Sequence, residues 1–299
     1  MGSGLNKTKR RIASVTSTQK ITKAMEMVAT VKLKRFKDTF EHGSYYLREL
    51  EGIFARALAL CPSLPYAKEN EGVDAICYLL VTSNLGLCGG YNSELFRFVE
   101  SKIHKGVDTL IVLGEKGKAH YSHDGAFHLE ETSLDLNASP LDCTKAGKKL
   151  LEDFTKKKYK RIEVISTHYV NSLRFVPECF TLLPISPSYH EEPYESYAPP
   201  LWEPNPKEFV ENNLASYLGA ELYSRIGEAE LSEQASRRNA MESANDNADE
   251  LLDIYKDKQL PVTIWSGHNH IAETVTVPRS DMSVTEYTHP CVCGAWWYF

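Results

Sequence analysis

The segment Ile12–Phe36, IASVTSTQKITKAMEMVATVKLKRF, decides the fold. It contains neither Pro nor Gly, and apolar residues recur at intervals of three and four: Ile12 and Val15, then Ile21, Met25 and Val28. That spacing lays one stripe along an α-helix. The pattern continues outward. From about Asn6 to Leu60 there is no Pro, and Gly occurs only at Gly43 and Gly52; Phe36, Phe40, Leu47, Leu50 and Phe54 extend the stripe. A helix of about 50 residues is roughly 75 Å long at ~1.5 Å per residue. No compact domain encloses such a helix by itself, so it must lie against another. The stretch CPSLP, Cys61–Pro65, ends it.

The expected partner lies near the other end of the chain. A second long helix is predicted from Pro206 or Lys207 to Lys258, with Pro206 suited to its first turn. Its stripe is Leu214, Tyr217, Leu218, Leu222, Ile226, Met241, Ala244, Ala248, Leu251, Leu252 and Tyr255. The overall charge of −6 conceals an asymmetry between the two helices. Residues 1–37 hold ten Lys and Arg against one acid, Glu26, a net +9, so the remainder carries −15. Residues 206–258 hold six basic residues against twelve acids, a net −6. Apolar seams and opposite charge together predict an antiparallel coiled coil of the terminal segments.

Between them the chain alternates as an α/β unit does. VDAICYLLVTS reads as a buried strand, NSELFRFVESKIHKG as a helix and VDTLIVLGEKG as a second strand. A helix near TKAGKKLLEDFTKKKY precedes the strands KRIEVISTHYV and RFVPECFTLLPIS. Residues 184–206, rich in Pro, Tyr and Glu, read as a loop. The division is 1–60 for the first coiled-coil helix, 66–205 for the α/β domain and 206–258 for the second helix. Residues 259–299 form an atypical tail without helical period, expected to be weakly ordered.

Composition bounds the chemistry. Of the 299 residues, 42% are hydrophobic and 25% charged, ordinary for a soluble globular chain. No run of about 18 apolar residues suggests a membrane span. The N-terminal MGSGLNKTKRR lacks the apolar stretch of a secretory signal, and Asn6 stands where a myristoylation motif takes Ser or Thr. Seven scattered cysteines fit a reducing compartment better than a disulfide framework.

The glycine-rich corner TSNLGLCGGYNSELF, Thr82–Phe96, invites a phosphate reading because it joins a strand to a helix. A phosphate loop of the usual kind ends in Gly-Lys-Ser/Thr, whereas Gly89 and Gly90 precede Tyr91 and Asn92. Gly86, Gly89 and Gly90 also miss the offsets of a dinucleotide fingerprint. A tight corner with Asn92 or Ser93 capping the helix is the expectation, with no cofactor and no direct nucleotide binding. Cys88 has no base nearby in sequence to activate it. KTKRR and KLKRFK suggest nucleic acid only weakly, because they interleave with apolar residues at helical period. GHNH, Gly267–His270, and HPCVC, His289–Cys293, lack the spacings of a zinc knuckle. The acid pairs Glu130–Glu131 and Glu191–Glu192 are expected to face solvent. A nucleotide-using α/β enzyme and a basic coiled-coil nucleic-acid binder are therefore the weaker alternatives to a mechanical role.

Four stretches carry a family resemblance. TQKITKAMEMVATVKLKRF, Thr18–Phe36, resembles the N-terminal helix of the gamma subunit, or central stalk, of rotary ATP synthases. TSNLGLCGGYN resembles that family's internal signature, with Asn84 and Leu85 where Asp and Arg are common. LWEPNP, Leu201–Pro206, resembles its loop before the second helix, and LSEQASRRNAMESANDNADELL, Leu231–Leu252, its C-terminal signature. The resemblance implies an α/β fold: a long antiparallel coiled coil of N- and C-terminal helices plus a central Rossmann-like α/β domain. It implies a non-catalytic subunit that couples ion flow through a membrane ring to ATP synthesis by rotation. Its implied partners are the alpha/beta hexamer, the epsilon subunit and the ring of c subunits, on the cytoplasmic face of a bacterial plasma membrane or, in a eukaryote, an inner organelle membrane. The residues it marks for subunit contact are Lys20, Lys23, Met25, Lys32, Lys34 and Arg35 on the first helix. Gly86, Cys88 and Gly89 mark the corner, and Glu233, Gln234, Arg237 and Arg238 the second helix.

Relatives in that family continue helically beyond the position of Leu252; here DIYKDKQLPVTIWSGHNHIAETV takes over. One reading is a slip of reading frame, since Trp265–His270 can be encoded so that the next frame gives the family's Gly-Arg-Ala-Ile-Thr. On that reading, resequencing the coding DNA restores a helical continuation. An unbroken frame in independent reads refutes it.

Overall fold

The computed structural model describes residues 2–186 and 201–256, together with three strands at 263–265, 274–278 and 283–287. The elements run α1 (Gly2–Ala59), β1 (Cys77–Val81), α2 (Tyr91–Lys102), β2 (Thr109–Leu113), α3 (Glu115–Tyr121), β3 (His128–Glu130), α4 (Pro140–Thr155), β4 (Ile162–Asn171), β5 (Arg174–Leu183) and α5 (Pro206–Lys256). The short strands β6 (Thr263–Trp265), β7 (Thr274–Pro278) and β8 (Ser283–Tyr287) follow. Packing separates two units. The first comprises Met1–Leu33, Gly86–Tyr91 and Glu233–Phe299; the second comprises Lys34–Leu85 and Asn92–Ser232.

The second unit is built on a five-stranded sheet in the order β3-β2-β1-β4-β5. β1 pairs in parallel with β2 and β4, and β2 with β3, while β5 returns antiparallel along β4. CYLLV of β1 is buried along its whole length, as a parallel strand covered on both faces requires. The β4–β5 reversal is made by Asn171, whose Oδ1 accepts the backbone N–H of Leu173 and of Arg174. α4 starts sharply because Ser139 and Asp142 form a reciprocal capping box ahead of the first turn.

Strand alternation sends Cys77, Leu79 and Val81, with Ile111, Leu113, Ile162 and Val164, into one core. Phe154 of α4, Phe54 of α1, and Leu214 and Leu218 of α5 complete it. The Phe54 and Tyr217 rings stack with centroids 4.4 Å apart, and full burial of a Phe contributes about 1.5–3 kcal/mol. Within this unit α1 and α5 run antiparallel: Glu51 acts on Glu221 and Phe54 meets Tyr217 and Phe209.

The strands and helices expected from the long apolar runs are present. The sequence reading passed over α3, seven residues with Gly117 inside, and β3, three mostly exposed residues at the sheet edge. Both are too short to show a period. Of the expected loop at 184–206, residues 187–200 lie outside the described residues.

In the first unit the inward positions of α1 are Ile12, Val15, Gln19, Thr22, Glu26, Ala29 and Leu33, an alternation of three and four. Gln19 donates to Asp249 at 2.6 Å, and Asn245 donates to Glu26 at 2.6 Å and bonds Thr22. Rising numbers on α1 meet falling numbers on α5, so this pairing is also antiparallel. It corrects one detail of the stripe: Ile21 and Val28, expected inward, are 60% and 56% exposed. Between Gln19 and Glu26 the seam is instead polar, because Asn245 and Asp249 offer amide and carboxylate partners there, while Ile12, Val15 and Leu33 keep apolar inward positions on either side. The tail contributes a three-stranded sheet in the order β6-β8-β7; the weak order expected for the rest of residues 259–299 lies outside the described residues.

α4 and α5 touch backbone to backbone in the second unit. A Cβ on Gly219 would sit 2.6 Å from Thr144 Cα, and one on Gly147 would sit 3.1 Å from the Ala215 carbonyl oxygen. Gly227, two turns further along α5, has nothing within 4 Å. The same substitution therefore has opposite signs at the two positions. Gly227→Ala stabilises by up to about 1 kcal/mol through helix propensity. Gly219→Ala forces the helices apart and costs about 1–3 kcal/mol net. Urea midpoints of the two variants check this.

Candidate functional site

The residues singled out by sequence gather on the basic face of α1, at the corner after β1, and on α5. The corner is pinned from two sides. Across its mouth the Ser83 N–H donates to Asn92 Oδ1 at 3.2 Å, and Asn92 Nδ2 donates to Ser83 Oγ at 2.7 Å. Asn92 thus clasps Ser83, where a helix cap had been expected. Inside the loop Leu87 and Gly89 adopt φ of 61° and 59°. For Leu87 that left-handed conformation costs about 1–2 kcal/mol, which the surroundings must offset.

Those surroundings are supplied by α5. Arg237 donates through Nε and Nη2 to the Gly86 carbonyl at 3.4 and 3.2 Å. The Ser236 hydroxyl donates to the Cys88 carbonyl at 2.6 Å. A Cβ at Gly89 would meet Ser236 Oγ at an ordinary 3.5 Å, so glycine is needed there for its φ and not for space. Two carbonyls of the corner, those of Gly86 and Cys88, are thus held by a guanidinium and a hydroxyl of α5.

Arg237 is also ion-paired to Glu233 at 2.6 Å, and the two side chains are only 6% and 8% exposed. Burial raises the Glu233 carboxyl above its usual range, opposed by Arg237 and by Lys32 of α1. Glu233, Gln234 and Arg237, suggested as outward contacts, are therefore buried in their own chain. Arg238 is partly exposed and pairs with Glu242 at 3.4 Å. On α1, Lys20, Lys32, Lys34 and Arg35 are exposed and Met25 is half-buried. Lys23 is exposed but lies 3.7 Å from Asp249. Gly86 and Gly89 are half-buried and Cys88 is fully buried.

Sequence reasoning passed over Ser236, Gln19 and Asn245. The available signal was their position: polar residues falling on seam positions of two otherwise amphipathic helices. Of the acid pairs expected to face solvent, Glu130 does not. Burial would raise its carboxyl, but hydrogen bonds from Lys158 and Tyr159 overcome this and hold it at about 2. Glu131 is exposed; Glu191 and Glu192 lie outside the described residues, as do GHNH and HPCVC. Among the described residues no group of three or more His, Cys, Asp or Glu is placed to hold a metal ion, and no helix is long and apolar enough to cross a membrane.

Arg237→Ala removes the cation paired with buried Glu233, leaving it only the weaker attraction of Lys32, and removes the guanidinium donor from the Gly86 carbonyl. The expected cost is about 3–5 kcal/mol, read as a lowered urea midpoint. Replacing both members, Glu233→Gln with Arg237→Met, costs clearly less, because no buried charge is left unpaired.

Known proteins resemble this chain in sequence and in fold. A family model described as ATP synthase matches residues 4–258. The ATP synthase gamma chain of Mycoplasma mobile is 34% identical over 262 residues, covering 84% of this chain and 90% of that one. The gamma chain of Leptospira biflexa is 31% identical over 255 residues, covering 82% and 88%. Among solved structures, the central stalk with c-ring of the Tetrahymena thermophila mitochondrial ATP synthase aligns with a TM-score of 0.56 at 23% identity, covering 75% of this chain and 99% of that one. The rotor of the Euglena gracilis mitochondrial enzyme aligns with a TM-score of 0.57 at 16% identity, covering 86% and 96%. At these identities the structures attest the fold, and the sequence relatives attest the family. With both long helices, the clasped corner and the whole five-stranded sheet inside the matched stretch, the chain belongs to the ATP synthase gamma chain family.

Proposed function

We propose that the chain works as a torque-carrying shaft inside a collar of alpha and beta subunits, and that the α1 face between Lys20 and Arg35 is the surface the collar meets. As a member of its family the chain is a non-catalytic, central-stalk subunit of a rotary ATP synthase. One observation carries the finer reading. Ile21, Met27, Val28 and Val31 are 60%, 66%, 56% and 71% exposed, and they alternate with exposed Lys20, Lys32, Lys34 and Arg35. An uncovered apolar strip edged with one sign of charge suits a protein surface of opposite charge. Charge attraction acts over several ångströms and does not need a fixed interlock, which a turning shaft must avoid.

On this reading the residues divide by role. Lys20, Lys32, Lys34, Arg35 and Arg238 face the collar, with Met25 beside them as an adaptable thioether. Lys23 is shared with Asp249. Glu233, Gln234 and Arg237 act from within, by keeping α5 and the corner at Gly86, Cys88 and Gly89 in one arrangement. The corner serves as this docking point and takes no nucleotide. The Tetrahymena structure contains a c-ring beside its central stalk, and a Euglena structure contains OSCP, F1 and the c-ring. The corresponding partners here are the alpha/beta hexamer and the membrane ring, joined by an epsilon subunit. The division into coiled-coil residues 1–60 and 206–258, a foot domain at 66–205 and a tail at 259–299 belongs to the same proposal. So does a peripheral position on the cytoplasmic face of a bacterial plasma membrane.

The test is reconstitution of the whole ATP synthase with Lys20, Lys34 and Arg35 all changed to Glu. ATP-driven proton pumping is expected to fall by about tenfold or more, since each reversed charge turns attraction into repulsion, while the isolated variant keeps its urea midpoint. Unchanged pumping, or failure of the unmodified chain to co-purify with a hexameric ATPase, overturns the reading.

A further inference from the structure

The second unit holds a carboxyl that the shaft reading does not use. Glu221 on α5 is 0% exposed. Its Oε1 accepts the Tyr217 hydroxyl at 3.0 Å, while Oε2 is buried with no hydrogen-bond donor reaching it. An ionised carboxylate so placed strands charge in a dry site. The cation that acts on it, Arg225, comes from α5 itself. The facing helix α1 supplies a second carboxyl, half-buried Glu51, which interacts with Glu221 both by charge and as a hydrogen-bonding partner.

The neighbouring groups do not remove the conflict. Arg225, one turn along α5, attracts the Glu221 charge. Its guanidinium is also committed to Glu228 at 3.4 Å and stacks 4.2 Å from the Phe180 ring of β5. Glu228 in turn holds His168 Nδ1 at 2.6 Å and the Tyr169 N–H at 3.1 Å, both on β4. His168 also approaches Glu178 of β5 at 3.8 Å. Tyr217 stays a donor, because burial and the Glu221 charge push its hydroxyl well above its usual range.

We propose that Glu51 and Glu221 form a proton-binding site, in which one proton is shared between the two carboxyls and joins α1 to α5 within the second unit. Burial first, and Glu51 second, push the Glu221 carboxyl from 4.5 up to about 7. Between those values the folded chain keeps a proton that the unfolded chain has released. The stabilisation is therefore complete below about 4.5, drains away as the pH rises towards 7, and is absent above it. Acidification tightens this part of the helix pair, and alkalinisation leaves two like charges facing each other across it.

The experiment compares the full chain with Glu221→Gln in urea at pH 5 and pH 8. Relative to the variant, the unfolding equilibrium constant of the wild type is expected to rise roughly fifty- to one-hundredfold over that interval. Contributions from Glu233, Glu130 and the remaining acids are common to both chains and cancel. Infrared spectroscopy gives a second readout that needs no folded Glu221 variant. The wild type shows a protonated-carboxyl stretch at pH 6 that disappears by pH 8, and Glu51→Gln, which brings an amide donor to Glu221, lacks it. A gap between wild type and Glu221→Gln that does not change with pH overturns the proposal, as does absence of the stretch. A gap that follows sodium or potassium concentration at fixed pH also overturns it, by placing a monovalent cation between the acids.

Discussion

A helix of 58 residues and another of 51 are not sustained in water by their own backbone hydrogen bonds, because side-chain burial supplies most of the stability of a protein helix. Each therefore needs a companion along its length, and that requirement governs the rest of the architecture. In the second unit it is met by apolar burial: Phe54 against Tyr217 and Phe209, with Leu214, Leu218 and Leu222 closing onto the sheet. In the first unit it is met in part by amides, hydroxyls and carboxylates, with Gln19, Thr22 and Glu26 facing Asn245 and Asp249 between the inward apolar positions Ile12, Val15 and Leu33.

The two solutions have different mechanical consequences. An apolar core tolerates small slippage because dispersion contacts are individually weak and non-directional. A seam of directed hydrogen bonds has one register in which all its members are satisfied, and a displaced register leaves buried polar groups unmet. Fixing register with polar seam residues is a well-attested use of such groups in paired helices. In a subunit whose task is to transmit rotation, a defined register is worth more than the additional stability an apolar seam would bring. The exposed Ile21, Met27, Val28 and Val31 follow from the same choice, since the apolar residues left out of the seam lie on the opposite face.

The corner shows how one helix disciplines a loop. Leu87 holds a backbone conformation unfavourable to any residue but glycine. Ser236 and Arg237 of α5 hold the carbonyls on either side of it. Removing either tether leaves the loop free to relax, so the loop's shape is a property of α5 as much as of its own glycines. The buried Glu233–Arg237 pair then follows as the means of keeping the Arg237 guanidinium in place. At the acid pair of Glu51 and Glu221 the same helix accepts a less comfortable arrangement.

Much of this was legible in the amino-acid order. Long runs without Pro, apolar residues at three and four, and opposite charge on the terminal segments specified two helices that pair antiparallel. Continuous β-branched and aliphatic runs such as CYLLV and TLIVL specified buried strands, and the absence of Gly-Lys-Ser/Thr after Gly90 argued against a phosphate loop. Local rules suffice there because helix period and strand burial are written within a few residues of each other. They do not suffice where a residue's role depends on what arrives from far along the chain. Gln19 turns inward and Ile21 outward because Asp249 and Asn245 stand opposite. Arg237 is buried because Gly86, about 150 residues earlier, presents a carbonyl. Glu221 meets Glu51 only because two helices cross at that level. Those assignments belong to the tertiary structure, since burial and partnership, unlike periodicity, are properties of pairs.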